Sequence, residues 1–243
     1  MTRLLNGIVA FGSVLLLAVT LIGAGFAAVA IPDAATATLS RALSGCDQPN
    51  TPFTADELAS MAIAGKHYTF DDNDREKLDA AIAEANAAAE ADGHATASTR
   101  ESAARTLPAD AISHLDDVYR VASVAKPALV IVAVLCIAGL AHVAVRISRR
   151  ALGRTLMAGG GLVLAAFCAL GAWAAIDFDG LFAAFHSLFF QAGTWTFPYD
   201  SLLITLYPTA FWMGMGGIWL AVTCGLSILA VLIGFTLGHK QHD

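Results

Sequence analysis

Four long stretches of the chain are almost free of charge: residues 8–31, 128–145, 155–176 and a run from about 202 to 237. A helix of about 20 apolar residues crosses a hydrocarbon core of roughly 30 Å, so each stretch predicts a membrane span. The fourth run is too long for one upright helix, and Pro208 divides it. Proline suits the first turn of a helix, which starts that span at residue 209 and leaves 202–207 to the preceding connection. Residues 1–31 have a short basic start at Arg3, as a cleaved signal peptide would. Their apolar part runs for 24 residues, against roughly 7–15 for a signal h-region, so the segment reads as a retained anchor. "LSGC" at 43–46 spells a lipobox, but "PDAATATLSRA" separates it from the apolar run that a lipobox would abut.

Between the first and second spans the pattern becomes intermittently amphipathic. "TPFTADELASMAIAG" (51–65) predicts a short helix capped by Thr54, with Glu57 three residues on as in a capping box and Gly65 as its stop. "DDNDREKLDAAIAEANAAAEADG" (71–93) predicts a surface helix with one weak stripe, Leu78 and Ile82 at i, i+4. "HATASTRESAAR" (94–105) has too little apolar surface to bury and reads as a flexible insert. In "TLPADAISHLDDVYRVASVAKP", Pro108 fits a first turn and Asp110 the positive helix end, while Ala111, Leu115, Val118, Ala122 and Ala125 form a stripe. This predicts an amphipathic helix at the outer surface, bent or broken by Pro127 as it enters the second span. Between the third and fourth spans lies "FHSLFFQAGTWTFPYD" (185–200), with five aromatics before its tyrosine and no charge until Asp200. Asp177 or Asp179 caps a short helix over 180–191, ended by Gly193. Aromatics gather at the membrane–water boundary, and non-helical backbone at that depth is covered by protein or lines a watery cavity. The loop therefore reads as a half-buried platform in the outer leaflet.

Composition agrees and adds a direction. The chain is 57% hydrophobic and 14% charged, whereas soluble domains are near half apolar and about a quarter charged. Basic residues flank the cytoplasmic ends of spans. "RISRRALGR" carries Arg146, Arg149, Arg150 and Arg154 between the second and third spans, and Arg3 and Lys240 fall on the same side. Residues 32–127 and 177–208 then lie outside. The first of these segments holds 16 of the 20 acidic residues against 8 basic ones, so the formal net charge of −6 describes mostly this region and implies no nucleic-acid partner. Cys136, Cys168 and Cys224 sit in spans and Cys46 stands alone outside, which builds no disulfide framework. The expected architecture is an all-α polytopic membrane protein. Four transmembrane helices cover 1–31, 127–146, 155–176 and 209–237. An extracytoplasmic helical segment with a flexible insert and an interfacial helix fills 32–126. A cytoplasmic loop covers 147–154, an extracytoplasmic aromatic loop 177–208 and a cytoplasmic tail 238–243, so both termini are cytoplasmic.

Two histidines are placed on the outer side beside apolar surface. His114 borders the stripe of its helix with Asp117 at i+3; His186 has Phe182, Phe185, Phe189 and Phe190 around it. Ionisable groups at membrane depth are costly and tend to be functional, the alternative for each being an interfacial residue with a satisfied hydrogen bond. His67 and His94 read as solvated, His142 as packing, and His239 and His242 as part of a charged tail. There is no GxSxG elbow, Walker loop, HExxH or outer cysteine with a partner, so no protein nucleophile is evident. The substrate brings its own nucleophile, or the site binds a metal, or there is no catalysis. The first option suits histidine, whose pKa of roughly 6.5 lies near the roughly 7.7–8.0 of an α-amine, so it takes a proton from an ammonium near neutral pH.

"SHLDDV" (113–118) and "FHSLFFQAGTWTFPYDSLLITLYPTAFW" (185–212) resemble the bacterial lipoprotein intramolecular transacylases, four-span integral membrane proteins. The order of elements fits throughout, while the sequence likeness is confined to these two blocks. The resemblance implies an acyltransferase of the bacterial plasma membrane that works at the outer leaflet without a cofactor, among membrane lipids. Its substrate would be a diacylglyceryl lipoprotein with a free N-terminal cysteine amine. One fatty acyl chain would move from a glyceryl ester to that amine, giving the N-acyl, S-monoacylglyceryl lyso form. The family's paired histidines map onto His114 and His186, one removing the amine proton and the other positioning the ester or protonating the leaving alkoxide. Asp117 would orient His114, and Trp195 or Tyr199 would shape the acyl or headgroup pocket, with interfacial anchoring as the alternative for both. The chain departs from the family pattern at Tyr119, where relatives often carry a basic residue, and in "YPTAFW", which lacks an acidic residue after the proline. Its Ala-rich stretch at 80–105 reads as an insertion. Two other readings compete: a non-catalytic scaffold whose aromatic loop grips lipid or a partner, and a metal hydrolase using His114, His186 and an outer aspartate.

Overall fold

The computed structural model describes residues 2–48 and 50–239; Lys240 and His242, assigned above to the cytoplasmic side and the tail, lie outside the described residues. All regular elements among the described residues are helical: α1 (Thr2–Ala30), α2 (Asp33–Leu43), α3 (Ala55–Phe70), α4 (Arg75–Ala91), a 3-10 turn (Ala97–Thr99), α5 (Ala109–His142), a π turn (Val143–Ile147), α6 (Arg149–Ile176), α7 (Phe178–Ser187), α8 (Leu202–Leu206) and α9 (Thr209–His239). Four helical stretches, α1, α5 with its π turn, α6 and α9, are long and apolar enough to cross a membrane. They also expose large apolar side chains, among them Ile8, Val134, Ile137, Leu229 and Leu232, which water would penalise and lipid does not. This is a multi-pass membrane protein.

The residues form two compact units. The first comprises residues 1–28, 125–177 and 218–243 and is built from the apolar helices. Its core is Leu17, Ala18, Leu21, Cys136, Val163, Phe167 and Ala230, with the Trp219 indole donating to the Ile22 carbonyl at 3.1 Å. Lipid offers helices little hydrophobic reason to associate, so close backbone packing between small residues takes over. At Gly153 of α6 and Gly234 of α9, a Cβ on either glycine would run into the carbonyl oxygen of the other.

The second unit comprises residues 29–124 and 178–217. Its core gathers Phe53, Leu58, Met61, Leu78, Ile82, Leu115, Leu202 and Leu206 among others. α3 opens on the capping box of Thr54 and Glu57, but it does not stop at Gly65. That glycine lies against the Tyr207 hydroxyl, which a Cβ would strike, and the hydroxyl donates to the Ala62 carbonyl at 2.7 Å. Gly65 is thus a packing position and the helix runs on to Phe70. α2 has no counterpart among the helices expected from the pattern, because what it buries is Thr36 and Ser40 rather than an apolar stripe. Ser40 and Ser44 share a hydrogen bond of 2.6 Å, and Ser44 passes its own to the Leu206 carbonyl.

Residues 94–105, expected to be flexible, are organised around Arg105. This guanidinium is 2% exposed and donates to Asn86 Oδ1 at 2.6 Å, the Thr96 carbonyl at 2.6 Å, Thr99 Oγ1 at 2.9 Å and Glu90 at 3.0 Å. The apolar count missed it because what this segment buries is a charge with its partners. Ala103 then accepts from the Leu202 amide at 2.8 Å, fixing the start of α8. Pro127 does not break α5, which continues through it; neighbouring groups in membrane helices re-satisfy the backbone that proline frees. Most of the loop expected over 147–154 is helical too, because Ser148 caps α6 by accepting from the Ala151 amide at 3.0 Å.

Candidate functional site

His114 stands on the first turns of α5, which are anchored by the buried Ala111, Ile112 and Leu115. The imidazole is 8% exposed, and its Nδ1 is buried without a hydrogen-bond partner. His186 stands near the end of α7, which spans Phe178–Ser187 rather than residues 180–191. Its Nδ1 lies 2.9 Å from the Phe182 carbonyl. A carbonyl oxygen only accepts, so Nδ1 carries the hydrogen and Nε2 of the neutral ring keeps its lone pair. Burial disfavours the charged ring and pulls the His186 pKa below the ordinary histidine value, while the Phe182 carbonyl opposes this more weakly.

After α7 the amides of Phe189 and Phe190 both bond back to the His186 carbonyl. Gly193 then turns the chain with φ of +88°, a conformation that disfavours a side chain. Trp195 comes back over His186, ring centroids 4.9 Å apart. The two imidazoles lie 6.1 Å apart, inclined by 30°. Phe190 packs on both, at 5.0 Å from His114 and 5.7 Å from His186. Phe197 lies 5.6 Å from His114 and Phe182 4.0 Å from His186. Within this aromatic cluster the Trp195 indole nitrogen is buried with no acceptor.

His114, His186 and Trp195 are therefore brought together. Tyr199 is engaged elsewhere: its hydroxyl donates to the Asp47 carbonyl at 3.1 Å and its own carbonyl accepts from Gln48 at 2.8 Å. Asp117, one turn beyond His114, pairs with Arg120 at 2.6 Å, a competitor at the same i+3 spacing. Arg120 was not singled out from the sequence; the i, i+3 pairing of opposite charges was the available signal. Among the described residues no group of three or more His, Cys, Asp or Glu side chains is arranged to hold a metal ion, which leaves the metal-hydrolase alternative without a ligand set.

Fold and site define an all-α, four-span membrane protein with a buried and a half-buried histidine, His114 and His186, 6.1 Å apart within an aromatic cluster. The family described as lipoprotein intramolecular transacylase Lit matches residues 92–212, a stretch that includes both histidines. The fold is shared with the membrane-integral lipoprotein intramolecular transacylase Lit of Bacillus cereus. That structure is 18% identical, covers 98% of this chain and 97% of its own, and superposes with a TM-score of 0.74. Two variants of the Bacillus cereus protein, with one histidine changed to arginine or to alanine, are similar at a TM-score of 0.68 and 17% identity. They cover 99% of this chain and 95% and 96% of their own. No curated protein sequence matches. The chain belongs to the lipoprotein intramolecular transacylase family and is an acyltransferase.

Proposed function

We propose that the protein moves one fatty acyl chain, within a single diacylglyceryl lipoprotein, from a glyceryl ester to the N-terminal cysteine amine. The observation that carries this reading is the pair of imidazoles 6.1 Å apart in an aromatic enclosure. The substrate supplies the nucleophile. The amine nitrogen attacks the ester carbonyl, an N–C bond forms, the C–O bond to glycerol breaks, and the amine proton ends on the glyceryl oxygen. From the neutral amine no net proton is gained or lost, so two histidines suffice: one takes the proton from the amine and the pair returns it to the alkoxide. The free lone pair on Nε2 of His186 fits the accepting role, as does its burial, which keeps the ring neutral. The unpartnered indole N–H of Trp195 is available to the carbonyl oxygen as negative charge develops there. With both reactants in one molecule, most of the acceleration comes from holding them together. The positive-inside pattern puts both termini in the cytoplasm and the histidines on the outer side, where exported lipoproteins are found.

The test is a reporter diacylglyceryl lipopeptide incubated with the full-length protein. The shift leaves total mass unchanged, so fragment spectra must show whether the amine carries acyl. His114→Ala and His186→Ala should each lower the rate by about 10²–10⁴-fold, and Trp195→Phe by about 10²-fold, with the helical content and thermal transition retained. Wild-type protein that leaves the amine free would sink the reading; full activity in either histidine variant would remove that histidine from the mechanism.

A further inference from the structure

Phe190, which packs on both imidazoles, also lines a cavity of about 370 Å³ together with Asp117, Arg120, Val121, Phe189, Gln191 and Thr194. Ligand sites run from roughly 300 to 1,000 Å³, so this one is small. It lies open, with Arg120, Phe189, Gln191 and Thr194 exposed, and has room for a short polar group. Its wall is divided: Val121, Phe189 and Phe190 are apolar, while Asp117, Arg120, Gln191 and Thr194 bring a carboxylate, a guanidinium, an amide and a hydroxyl. Asp117 is the acid of the wall and lies on the helix that carries His114, one turn further along. Resting on the acyl-transfer reading above, we propose that this cavity receives the lipoprotein's N-terminal α-ammonium and first peptide unit, and that Asp117 is the carboxylate that binds the ammonium.

The ion pair with Arg120 does not block this role. Arg120 approaches Oδ1 at 2.6 Å, and its own side chain is 71% exposed. An exposed pair contributes little net stability, and a carboxylate has about four lone-pair directions, so an ammonium can join or displace the guanidinium. Arg120 keeps the carboxylate compensated while the cavity is empty. It is then free to meet a peptide carbonyl, beside the amide of Gln191. An ammonium held at Asp117 waits one turn of α5 from His114. As the nitrogen leaves the carboxylate an imidazole takes its extra proton and releases it to water, and a second N–H proton ends on the glyceryl oxygen as the N–C bond forms and the ester C–O bond breaks. Asp117 is thus a substrate-binding residue that selects a free N-terminus, and lipoproteins with an already acylated amine lack the charge it recognises.

Binding is measured with the full-length protein in micelles, using two ether-linked dialkylglyceryl cysteinyl peptides that cannot transfer a chain, one with a free amine and one N-acetylated. Wild type should bind the free amine about tenfold more tightly. Asp117→Asn should bring that ratio to about one while holding the N-acetyl peptide as wild type does, and Arg120→Gln should keep the preference. A preference that survives in Asp117→Asn, or is absent in wild type, overturns the proposal. So does its loss in Arg120→Gln as well, which would assign it to the shape of the wall. Should Asp117→Asn fail to fold, wild type alone decides: the preference must vanish as pH rises past the amine's roughly 8, and one that persists contradicts an ion pair. The ester-linked counterpart, followed in parallel for N-acyl product, reports on the acyl-transfer reading independently of the cavity.

Discussion

At the scale of the residue, His186 is defined by one hydrogen bond and by what its neighbours exclude. The Phe182 carbonyl fixes the hydrogen on Nδ1, and the rings of Phe182, Phe190 and Trp195 crowd the imidazole. With its folded pKa lowered by burial, the ring stays neutral somewhat below the ordinary value of roughly 6.5, and is lost as a base only when pH falls through the lowered value. The acid limb of the pH–kcat profile should therefore lie below the ordinary histidine range. Phe190→Ala admits water to the ring and should move that limb upward, toward roughly 6.5. A wild-type limb at or above that value, or one that Phe190→Ala leaves in place, would show that burial of this ring does not govern the rate. The same shift has a stability sign. The unfolded chain protonates this histidine more readily than the folded one, so its contribution to stability falls as pH drops below the unfolded value and is restored as pH rises.

At the scale of the element, the Arg105 cluster converts a polar segment into a structured support. Arg105→Met removes the donors that Asn86, Thr96 and Thr99 now use, a loss on the order of 3 kcal/mol for buried, charge-assisted bonds. Trypsin should then cut at Arg100 faster than in wild type at equal protease; an unchanged rate would mean that the segment is held by something other than Arg105. The same cluster marks where the sequence stops being legible. The apolar runs announced the spans, since about 20 uncharged residues have few other uses. The two histidines were legible as ionisable groups beside apolar stripes. Elements held by polar burial were not: α2 packs through Thr36 and Ser40, and residues 94–105 close around a guanidinium. Tertiary partners far along the chain were equally hidden. Gly65 looked like a helix stop because nothing near it in sequence reveals Tyr207. The 6.1 Å separation of the two imidazoles is a tertiary distance between residues 72 positions apart, which the hydrophobic pattern does not specify.

At the scale of the whole molecule, function depends on which side of the membrane each connection occupies. The reaction proposed above, on exported lipoproteins, requires His114 and His186 to face the outer side. Lys and Arg in short loops set orientation, and Arg146, Arg149, Arg150 and Arg154 gather between the second and third spans. Cys46, which lies in the segment assigned outside, is exposed, and Arg150 is exposed in the opposite connection. A membrane-impermeant maleimide applied to intact spheroplasts should therefore label Cys46. In the double variant Cys46→Ser, Arg150→Cys it should label only after lysis. Cys136, Cys168 and Cys224 lie within the apolar helices, where an aqueous reagent does not reach. The reverse pattern would invert the chain and put both histidines in the cytoplasm, away from exported lipoproteins. It would refute the proposed reaction at that site even with the geometry of the imidazole pair unchanged.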